Sequence, residues 1–442
     1  MSFMQSGVWS PVVALFCFTS VLIAGYPALA GRRQRAAAAF PDGILLIHAK
    51  SSMEFTADGF RQDPIFYYLT GLENTLGAIL AIDGKSGESW LFLPPDPPYA
   101  KLGLQPEAVP GLDDSKRLGI EHVVDWTELE SFLTRRATAP VPLYYAAVPY
   151  TYPEMPANLV AKKSAPLWVN LILQKWPSFE AMEATNRVNA LLAVQDAEES
   201  LALRSAAKST VAALMAGMRV IRPGASQRSV EAEVGSNCWN TGAHGSAFWP
   251  WAMAGSNGVI EHTLTSLGRY DYLNAVMRTG DLVRLDMGCE WDHYQGDLGR
   301  TVPVSGHFDS GQRETWNIFV AAYHAGVAAL RDGVTVDQVF ESWRAELLRH
   351  SASAKTSLAQ RAIASWSKRE NVRFWQVHTT NLIFGLPVGP LKAGTTIDFE
   401  PIASIDGQGY FLEDMFLITQ DGAELLTPGV PYSAEDIERA MR

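Results

Sequence analysis

Residues 284–306 read RLDMGCEWDHYQGDLGRTVPVSG and give the clearest indication of the fold. They contain most of two strand-like runs, DLVRLDMG at 281–288 and GDLGRTVPV at 296–304, and the polar and aromatic turn between them. This pattern predicts a β-hairpin with Asp286 on one strand and Asp297, 11 residues later, on its return. Two carboxylates on adjacent strands are close enough to share a cation.

A second hairpin is predicted within TTIDFEPIASIDGQGYFLEDMFLIT, residues 395–419, because Asp406-Gly407 is a preferred two-residue turn. Glu400 lies six residues before Asp406, and Glu413 lies six residues after Gly407. A tight turn therefore places the two glutamates directly opposite each other. Facing like charges destabilise a sheet, and a cation between them removes that cost.

Together the hairpins offer four carboxylates, an all-oxygen set that suits Mn²⁺, Mg²⁺ or Ca²⁺. One or two such ions would polarise a carbonyl group and hold a hydroxide nucleophile. The alternative is that each acidic residue is a solvated turn or strand-edge residue, as we expect for Asp292 and Asp414. Solvation explains a directly opposed Glu400–Glu413 pair less easily, which favours the metal site.

Length and composition exclude several classes of protein. The chain has 442 residues, which suits two or three domains, and 47% hydrophobic residues, which allow a large core. A net charge of −11 without a basic stripe argues against nucleic acid as a partner. Of three cysteines, only Cys238 and Cys289 lie outside the N-terminal apolar segment, and no C-x-x-C motif points to a thiolate zinc site. One disulfide is possible in an oxidising compartment.

The N-terminal segment is typical of an export signal. An apolar run at 12–24 precedes ALA at 28–30, a small-x-small pattern of signal-peptidase sites. We therefore expect residues 1–30 to be a signal peptide, the protein to be periplasmic or secreted, and no stable membrane insertion after processing. The alternative is an uncleaved membrane anchor, since no Lys or Arg precedes the run and three arginines follow it: Arg32, Arg33 and Arg35.

The remaining chain divides near residue 182. Before that point, strand candidates surround a helical TELESFLTRR segment at 127–136, which is an α/β pattern. The strand candidates are residues 43–49, 77–83, 89–95, 121–126 and 142–148. After it, Asp196 and Glu199 have the spacing of a helix capping box, and RPG at 222–224 ends that helix.

Further motifs carry a family resemblance. They are FRQDPIFYYLTG (60–71), RPG with EAE (222–233), GSNGVIEH (255–262), FEPI (399–402) and FLED (411–414). In this order, and with the two-Asp hairpin, they resemble aminopeptidase P and its relatives prolidase, creatinase and methionine aminopeptidase, the pita-bread metallopeptidases. The resemblance implies an α/β N-terminal domain at 31–182 and an α+β pita-bread catalytic domain at 183–442.

The resemblance also implies an activity. It is that of a metal-dependent Xaa-Pro aminopeptidase, which hydrolyses the N-terminal peptide bond preceding proline with a metal-activated hydroxide. The expected partner is a peptide with proline at its second position, and relatives suggest a homo-oligomer.

The implied cofactor is Mn²⁺, as one or two divalent ions. Asp286 matches a ligand of one ion, Glu400 matches a ligand of the other, and Asp297 and Glu413 match residues that bridge both. Glu400 is also a possible base.

Two histidines match the catalytic machinery of the family. His262 matches a histidine near the leaving group, and with His378 it would stabilise the oxyanion or the leaving nitrogen.

The sequence also departs from the family pattern. Aligning HTTNLIFGLPVG (378–389) with the family's histidine segment puts His378 on an earlier histidine and Leu382 on the metal-binding histidine. Leucine has no lone pair to donate. In addition, Phe411 replaces a family arginine, and Ile402 replaces a family glycine.

Three hypotheses account for the missing histidine. An altered local path lets His378 supply the nitrogen, or the enzyme works with one tight and one weak metal, or catalysis is lost and the protein binds peptides or partners without turnover. A relative acting on another C–N bond, as creatinase does, is a further alternative.

Overall fold

The computed structural model describes residues 26–52, 59–95, 106–146, 166–259, 262, 274–372, 376–382, 385 and 389–442. The apolar run at 12–24 lies outside these residues. Within the described ranges, no helix combines the length and apolarity needed to cross a bilayer.

The first half of the chain forms a mixed sheet in the order β4-β3-β2-β1-β5-β6, with helices packed around it. β1 pairs antiparallel with β2 and parallel with β5. The five predicted strands and the helix at 127–136 are confirmed. The elements are α1 (Tyr26–Ala39), β1 (Ile44–His48), α2 (Pro64–Thr70), β2 (Ile79–Asp83), β3 (Ser89–Leu93), α3 (Leu112–Leu118), β4 (His122–Asp125), α4 (Thr127–Arg136), β5 (Val141–Tyr145), α5 (Leu167–Lys175) and β6 (Phe179–Glu183).

The second half forms an antiparallel sheet in the order β13-β14-β16-β12-β9-β8, with β15 and β17 also paired to β16. Its helices are α6 (Thr185–Leu192), α7 (Ala197–Val220), α8 (Gln227–Asn240), α9 (Ser310–Val327), α10 (Val336–Arg349), α11 (Ser357–Trp366) and α12 (Ala434–Ala440). Its strands are β7 (Gly245–Ser246), β8 (Trp251–Ala254), β9 (Leu282–Met287), β10 (Cys289–Trp291), β11 (Tyr294–Gln295), β12 (Leu298–Pro303), β13 (Gln376–Thr379), β14 (Thr396–Glu400), β15 (Ile402–Ile405), β16 (Gln408–Ile418) and β17 (Ala423–Leu425).

Both predicted hairpins form. Asp406 and Gly407 make the tight turn, with φ of 49° and 73°, and Ile405 pairs with Gln408 across it. The same register continues beyond Pro401, where Phe399 pairs with Asp414. Glu400 is therefore opposite Glu413, as predicted. In the first hairpin, Asp286 pairs with Gly299, and Asp297 lies two residues before Gly299, just before the start of β12.

Helix α1 contains the predicted cleavage site at 28–30 and is part of the folded domain. Leu29 is 2% exposed and approaches Gly71 at the end of α2. Arg32 and Arg33 are also buried. Arg32 Nε donates a hydrogen bond of 2.8 Å to Asp196 Oδ2, and Arg33 Nη1 donates a hydrogen bond of 2.8 Å to the Leu69 carbonyl oxygen. The fold therefore uses two of the arginines that follow the apolar run.

Truncating the side chain of Leu29 tests whether α1 belongs to the mature fold. Leu29→Ala should cost about 2–5 kcal/mol of unfolding free energy, the usual loss for a buried leucine. Thermal or denaturant unfolding measures this loss, and Gln34→Ala, on the exposed face of the same helix, is the matched control. Equal stability of Leu29→Ala and the parent would show that the helix does not pack as described.

A buried ionic cluster joins α1 to α7 and to the first predicted hairpin, residues 281–304, which carries Asp286 and Asp297 and is called the metal hairpin below. Asp196 and Glu199 form the predicted capping box at the start of α7. Arg32 Nε is 4.0 Å from Glu199 Oε2, and the Tyr294 hydroxyl donates to Glu199 Oε1 over 3.3 Å. Burial raises the pKa of Glu199 to about 7, although Arg32 opposes the shift. Tyr68 also faces this carboxyl group.

The raised pKa makes stability depend on pH. Between about 4.5 and 7 the folded state binds the Glu199 proton more tightly than the unfolded state does, so stability falls as pH rises. The full penalty, about 3 kcal/mol, is reached above pH 7. The free energy of unfolding of Glu199→Gln, relative to that of the parent, should therefore increase from pH 5 to pH 8. Unfolding curves measured at each pH give this difference. A constant difference across this range would contradict the assignment.

Candidate metal centre

The two hairpins bring the predicted acidic residues onto one face of the second sheet. Asp286 and Glu413 are both register partners of Gly299, which lies on the strand between them. A side chain at Gly299 would meet the Phe411 ring 1.8 Å away, which explains the glycine. Because side chains alternate along a strand, Asp286, Glu413 and Asp297 all face the same side.

The carboxylate oxygens are close enough to hold a metal ion. One ligand atom from each of Asp286, Asp297 and Glu413 lies within 4.8 Å of the others. A second group, formed by His378, Glu400 and Glu413, has the same spacing. Glu413 belongs to both groups, as a residue that bridges two ions would.

His378 supplies the nitrogen in this cluster. It lies on β13, opposite Asp398 of β14, and its side chain is buried. Its Nε2 atom is 3.6 Å from Glu400 Oε1, 3.7 Å from Glu413 Oε1 and 3.8 Å from Asp297 Oδ2.

Leu382, which the alignment puts on the family's metal histidine, lies elsewhere. It is 5% exposed and belongs to an apolar cluster with Leu192, Met415 and Leu426. In the described part of this segment, residues 378–382, His378 and not Leu382 therefore lies among the carboxylates.

The chemistry of the donor set fits a divalent cation. Burial, reinforced by the neighbouring carboxylates, raises the pKa of Asp297, Glu400 and Glu413 well above their usual range. Asp297 Oδ1 and Glu413 Oε2 are buried and have no hydrogen-bond partner among the described residues. Uncompensated buried carboxylates are costly, and a cation would satisfy them. Burial also lowers the pKa of His378 to about 4, which leaves the imidazole neutral and able to bind a metal.

A buried arginine borders the cluster. Arg284 is 1% exposed, and its Nη1 atom is 4.0 Å from Asp286 Oδ2. Its guanidinium carbon lies 5.3 Å from the centre of the Phe411 ring. Phe411 holds the position where the family resemblance expects an arginine, so a positive charge reaches this region from β9 instead of β16.

Two acidic residues differ from the sequence-based expectation. Asp414 was expected to be solvated, and that prediction is wrong: it is fully buried on the opposite face of β16. It accepts hydrogen bonds from Arg300 (2.9 Å), Tyr323 (2.8 Å) and Tyr432 (2.8 Å). Asp398, which sequence reasoning missed, is also fully buried and faces the cluster. The signal for it was its position two residues before Glu400, on the same face of the strand.

His262 lies apart from the groups of potential metal ligands. Its side chain is exposed, and its Nδ1 atom is 2.6 Å from the Ser256 carbonyl oxygen. None of the groups formed by the described residues includes it. Its assignment to the leaving-group side stays a prediction.

A disulfide anchors the metal hairpin to α8. Cys238 and Cys289 are bonded, across a separation of 51 residues. Both residues are fully buried. Cys289 follows Asp286 by three residues and begins β10, so the bridge restrains the chain just after the strand that carries this carboxylate.

Reducing the bridge should lower the free energy of unfolding by about 2–4 kcal/mol, because the cross-link restricts the unfolded chain. Unfolding curves with and without reductant measure the effect. The double variant Cys238→Ala, Cys289→Ala should not respond to reductant. A parent protein whose unfolding is equally insensitive would contradict a stabilising bridge.

Comparisons with known proteins identify the family of the chain. The family model described as metallopeptidase family M24 matches residues 202–420, and the model described as aminopeptidase P, N-terminal domain, matches residues 29–143. Together they match more than half of the chain.

One relative matches nearly the whole length of the chain, and another matches about half of it. An Xaa-Pro aminopeptidase from Escherichia coli (strain K12) is 25% identical over 438 residues, covering 91% of this chain and 94% of the relative. An intermediate cleaving peptidase 55, mitochondrial, from Arabidopsis thaliana is 29% identical and covers 48% of this chain and 44% of its own.

Solved structures share the fold. Proline aminopeptidase P II from Yersinia pestis superimposes with a TM-score of 0.75 at 22% identity, covering 94% of this chain and 99% of that one. A zinc-substituted E. coli aminopeptidase P in complex with product gives a TM-score of 0.75 at 24% identity, covering 94% and 98%. The chain therefore belongs to the aminopeptidase P group of metallopeptidase family M24, the pita-bread metallopeptidases.

Proposed function

We propose that this protein is a metal-dependent aminopeptidase that removes an N-terminal residue preceding proline. The single observation that carries the proposal is the convergence of His378 Nε2 with the carboxylates of Asp297, Glu400 and Glu413 at 3.6–3.8 Å. This convergence supplies the nitrogen that the sequence alignment lacks. Family membership and the full-length relatives named Xaa-Pro aminopeptidase support the substrate class.

The residues present would hold up to two divalent ions. Asp286 with Asp297 and Glu413 would form one position, and His378 with Glu400 and Glu413 would form the other. We propose Mn²⁺ as the natural ion, because the set is rich in oxygen and contains a single nitrogen. When bound, the metal supplies Lewis-acid polarisation of the scissile carbonyl and a lowered pKa of water.

The protein's own groups would orient the substrate and handle its protons. Glu400, at the edge of the cluster, is the candidate base, because its carboxyl group is buried and close to the His378 side. Trp251 is the register partner of Asp286, so its partly exposed ring borders the same face and would form a wall for the peptide. His262 is proposed to contact the leaving group.

A metal-reconstitution assay tests the proposed function. The purified protein is stripped with chelator, reloaded with Mn²⁺, and given matched Xaa-Pro and Xaa-Ala peptides, with release of the first residue followed by mass spectrometry. We expect Mn²⁺-dependent release from the Xaa-Pro peptide alone. Bound metal without turnover of any peptide would favour a non-catalytic binding protein, and equal cleavage of both peptides would refute the proline requirement.

We also propose that the protein is exported and acts in an oxidising compartment. The disulfide between Cys238 and Cys289 supports this, since such bonds persist mainly outside the cytosol. Thiol labelling of cell fractions unfolded in denaturant, which exposes both buried cysteines, tests it. Both cysteines should resist labelling until reductant is added, and labelling without reductant would argue against export. A homo-oligomer, proposed by analogy with relatives, is tested by light scattering.

A further inference from the structure

Asp398 is a buried carboxylate that the proposed metal ligands do not account for. It is 0% exposed, and both of its carboxylate oxygens have no hydrogen-bond partner among the described residues. An isolated buried carboxylate is strongly destabilising unless it is paired. We therefore expect a positively charged or hydrogen-donating group beside Asp398.

The nearest such neighbour is the imidazole of His378. The two residues are direct register partners on β13 and β14, so their side chains share one face of the sheet. Asp398 Oδ2 is 3.7 Å from His378 Nδ1, whereas the carboxylates of Asp297, Glu400 and Glu413 approach Nε2. The two ring nitrogens therefore face different groups.

We propose that Asp398 is a positioning residue that orients His378 as a metal ligand. A neutral imidazole that binds metal through Nε2 carries its proton on Nδ1, and that N–H needs an acceptor. Asp398 is the carboxylate on this side of the ring. By accepting a hydrogen bond from Nδ1–H it fixes the tautomer and raises the basicity of Nε2. The inference deepens the proposed function and rests on its metal binding.

One other acceptor competes for Nδ1. The carbonyl oxygen of Thr379 lies 3.4 Å away, within the strand that carries His378. The Asp398 oxygen is farther from Nδ1, at 3.7 Å. An ionised Asp398 would be the stronger acceptor, because hydrogen bonds to an ionised group are roughly twice as strong as neutral ones. A second possibility is that Asp398 binds a metal directly, since it lies within 4.8 Å of Asp297 and His378 ligand atoms. The experiment separates these roles.

The test is a double-mutant cycle read out by calorimetric titration with Mn²⁺. Asp398→Val removes the carboxylate at similar volume, and it should weaken Mn²⁺ binding by about 10- to 100-fold, as loss of an outer-shell partner does. In a His378→Ala background the same change should alter affinity by less than about twofold, because the group it acts through is gone. Asp398→Asn retains an acceptor oxygen and should give an intermediate loss.

Several outcomes would overturn the assignment. Equal weakening of Mn²⁺ binding in both backgrounds would show that Asp398 acts as a direct ligand or through its charge alone. Unchanged Mn²⁺ binding of Asp398→Val in the parent background would show that Asp398 has no role in metal binding. Glu199→Gln, which neutralises a buried carboxyl group outside the cluster, should leave Mn²⁺ affinity unchanged. A parent protein that binds no Mn²⁺ would overturn the proposed function and this inference together. If the parent binds Mn²⁺ and the Asp398 variants do not behave as expected, only the role of Asp398 is overturned.

Unfolding of the metal-free protein provides the second readout. Asp398→Val should raise the melting temperature of the chelator-treated protein, because it removes a buried charge without a hydrogen-bond partner. Weaker Mn²⁺ binding together with greater stability excludes a folding defect. A variant that both unfolds earlier and binds less Mn²⁺ would contradict the proposed role.

Discussion

Replacing Glu413 by alanine should abolish both metal binding and peptidase activity. Glu413 belongs to both groups of potential ligands, so its loss removes a carboxylate from each position. The loss of activity should exceed the roughly 10- to 100-fold typical of an outer-shell residue. Metal content per chain and the rate of Xaa-Pro cleavage, measured on one preparation, check this expectation.

The same substitution should stabilise the metal-free protein. Glu413 is 1% exposed and surrounded by other carboxylates, which makes its charge costly without a cation. Asp421→Ala, an exposed acidic residue between β16 and β17, is the matched control and should change neither property. A Glu413→Ala protein that retains full metal content and turnover would show that the cluster is not the active centre.

Replacing His378 by alanine should produce the second large effect. It removes the only nitrogen ligand in the groups formed by the described residues, so one metal position should lose affinity, and activity should fall with it. We expect the loss again to exceed 10- to 100-fold. Added Mn²⁺ should restore part of the activity, because Glu400 and Glu413 remain. Titration of activity against Mn²⁺ concentration measures the shift.

Substitutions at Leu382 provide the contrast. Leu382 occupies the aligned position of the family histidine, but its side chain packs in an apolar cluster. Leu382→Met should keep both metal affinity and activity, and Leu382→Ala should lose about 2–5 kcal/mol of stability without a change in metal content. Unchanged metal affinity in His378→Ala would contradict the role of His378, and loss of metal in Leu382→Ala would show that the apolar cluster also supports the site.

The hairpins were predictable because their signals are local. Asp406-Gly407 specifies a two-residue turn, and such a turn fixes the register of every residue beyond it. The opposition of Glu400 and Glu413 follows from counting alone. The Asp196–Glu199 capping box was equally local, since both partners lie within one helical turn.

The nitrogen ligand was not predictable from local signals. Whether His378 or Leu382 meets the carboxylates depends on how β13 pairs with β14. Sixteen residues separate these strands, too many for a tight turn to fix the register. The sequence left both paths open. Arg284 was missed for a related reason: its partners Asp286 and Phe411 come from different parts of the chain, and only the sheet brings them together.

Asp414 shows the limit of reasoning from alternation. The expectation of a solvated residue assumes that one face of β16 meets water. Instead, the strand is buried on both faces, and helix α9 contributes Tyr323 as a partner of Asp414. The charge is satisfied by Arg300, whose guanidinium is itself fully buried. Such a pair forms only when distant segments pack together.

We propose that His378 completes a metal centre built from the two hairpins. Anomalous diffraction from crystals soaked in Mn²⁺ would locate the ions. Anomalous peaks should lie among the four carboxylates, Asp286, Asp297, Glu400 and Glu413, with one peak at bonding distance from His378 Nε2, about 2.1 Å. The absence of a peak among these carboxylates, or peaks that all lie beyond reach of His378, would contradict this proposal.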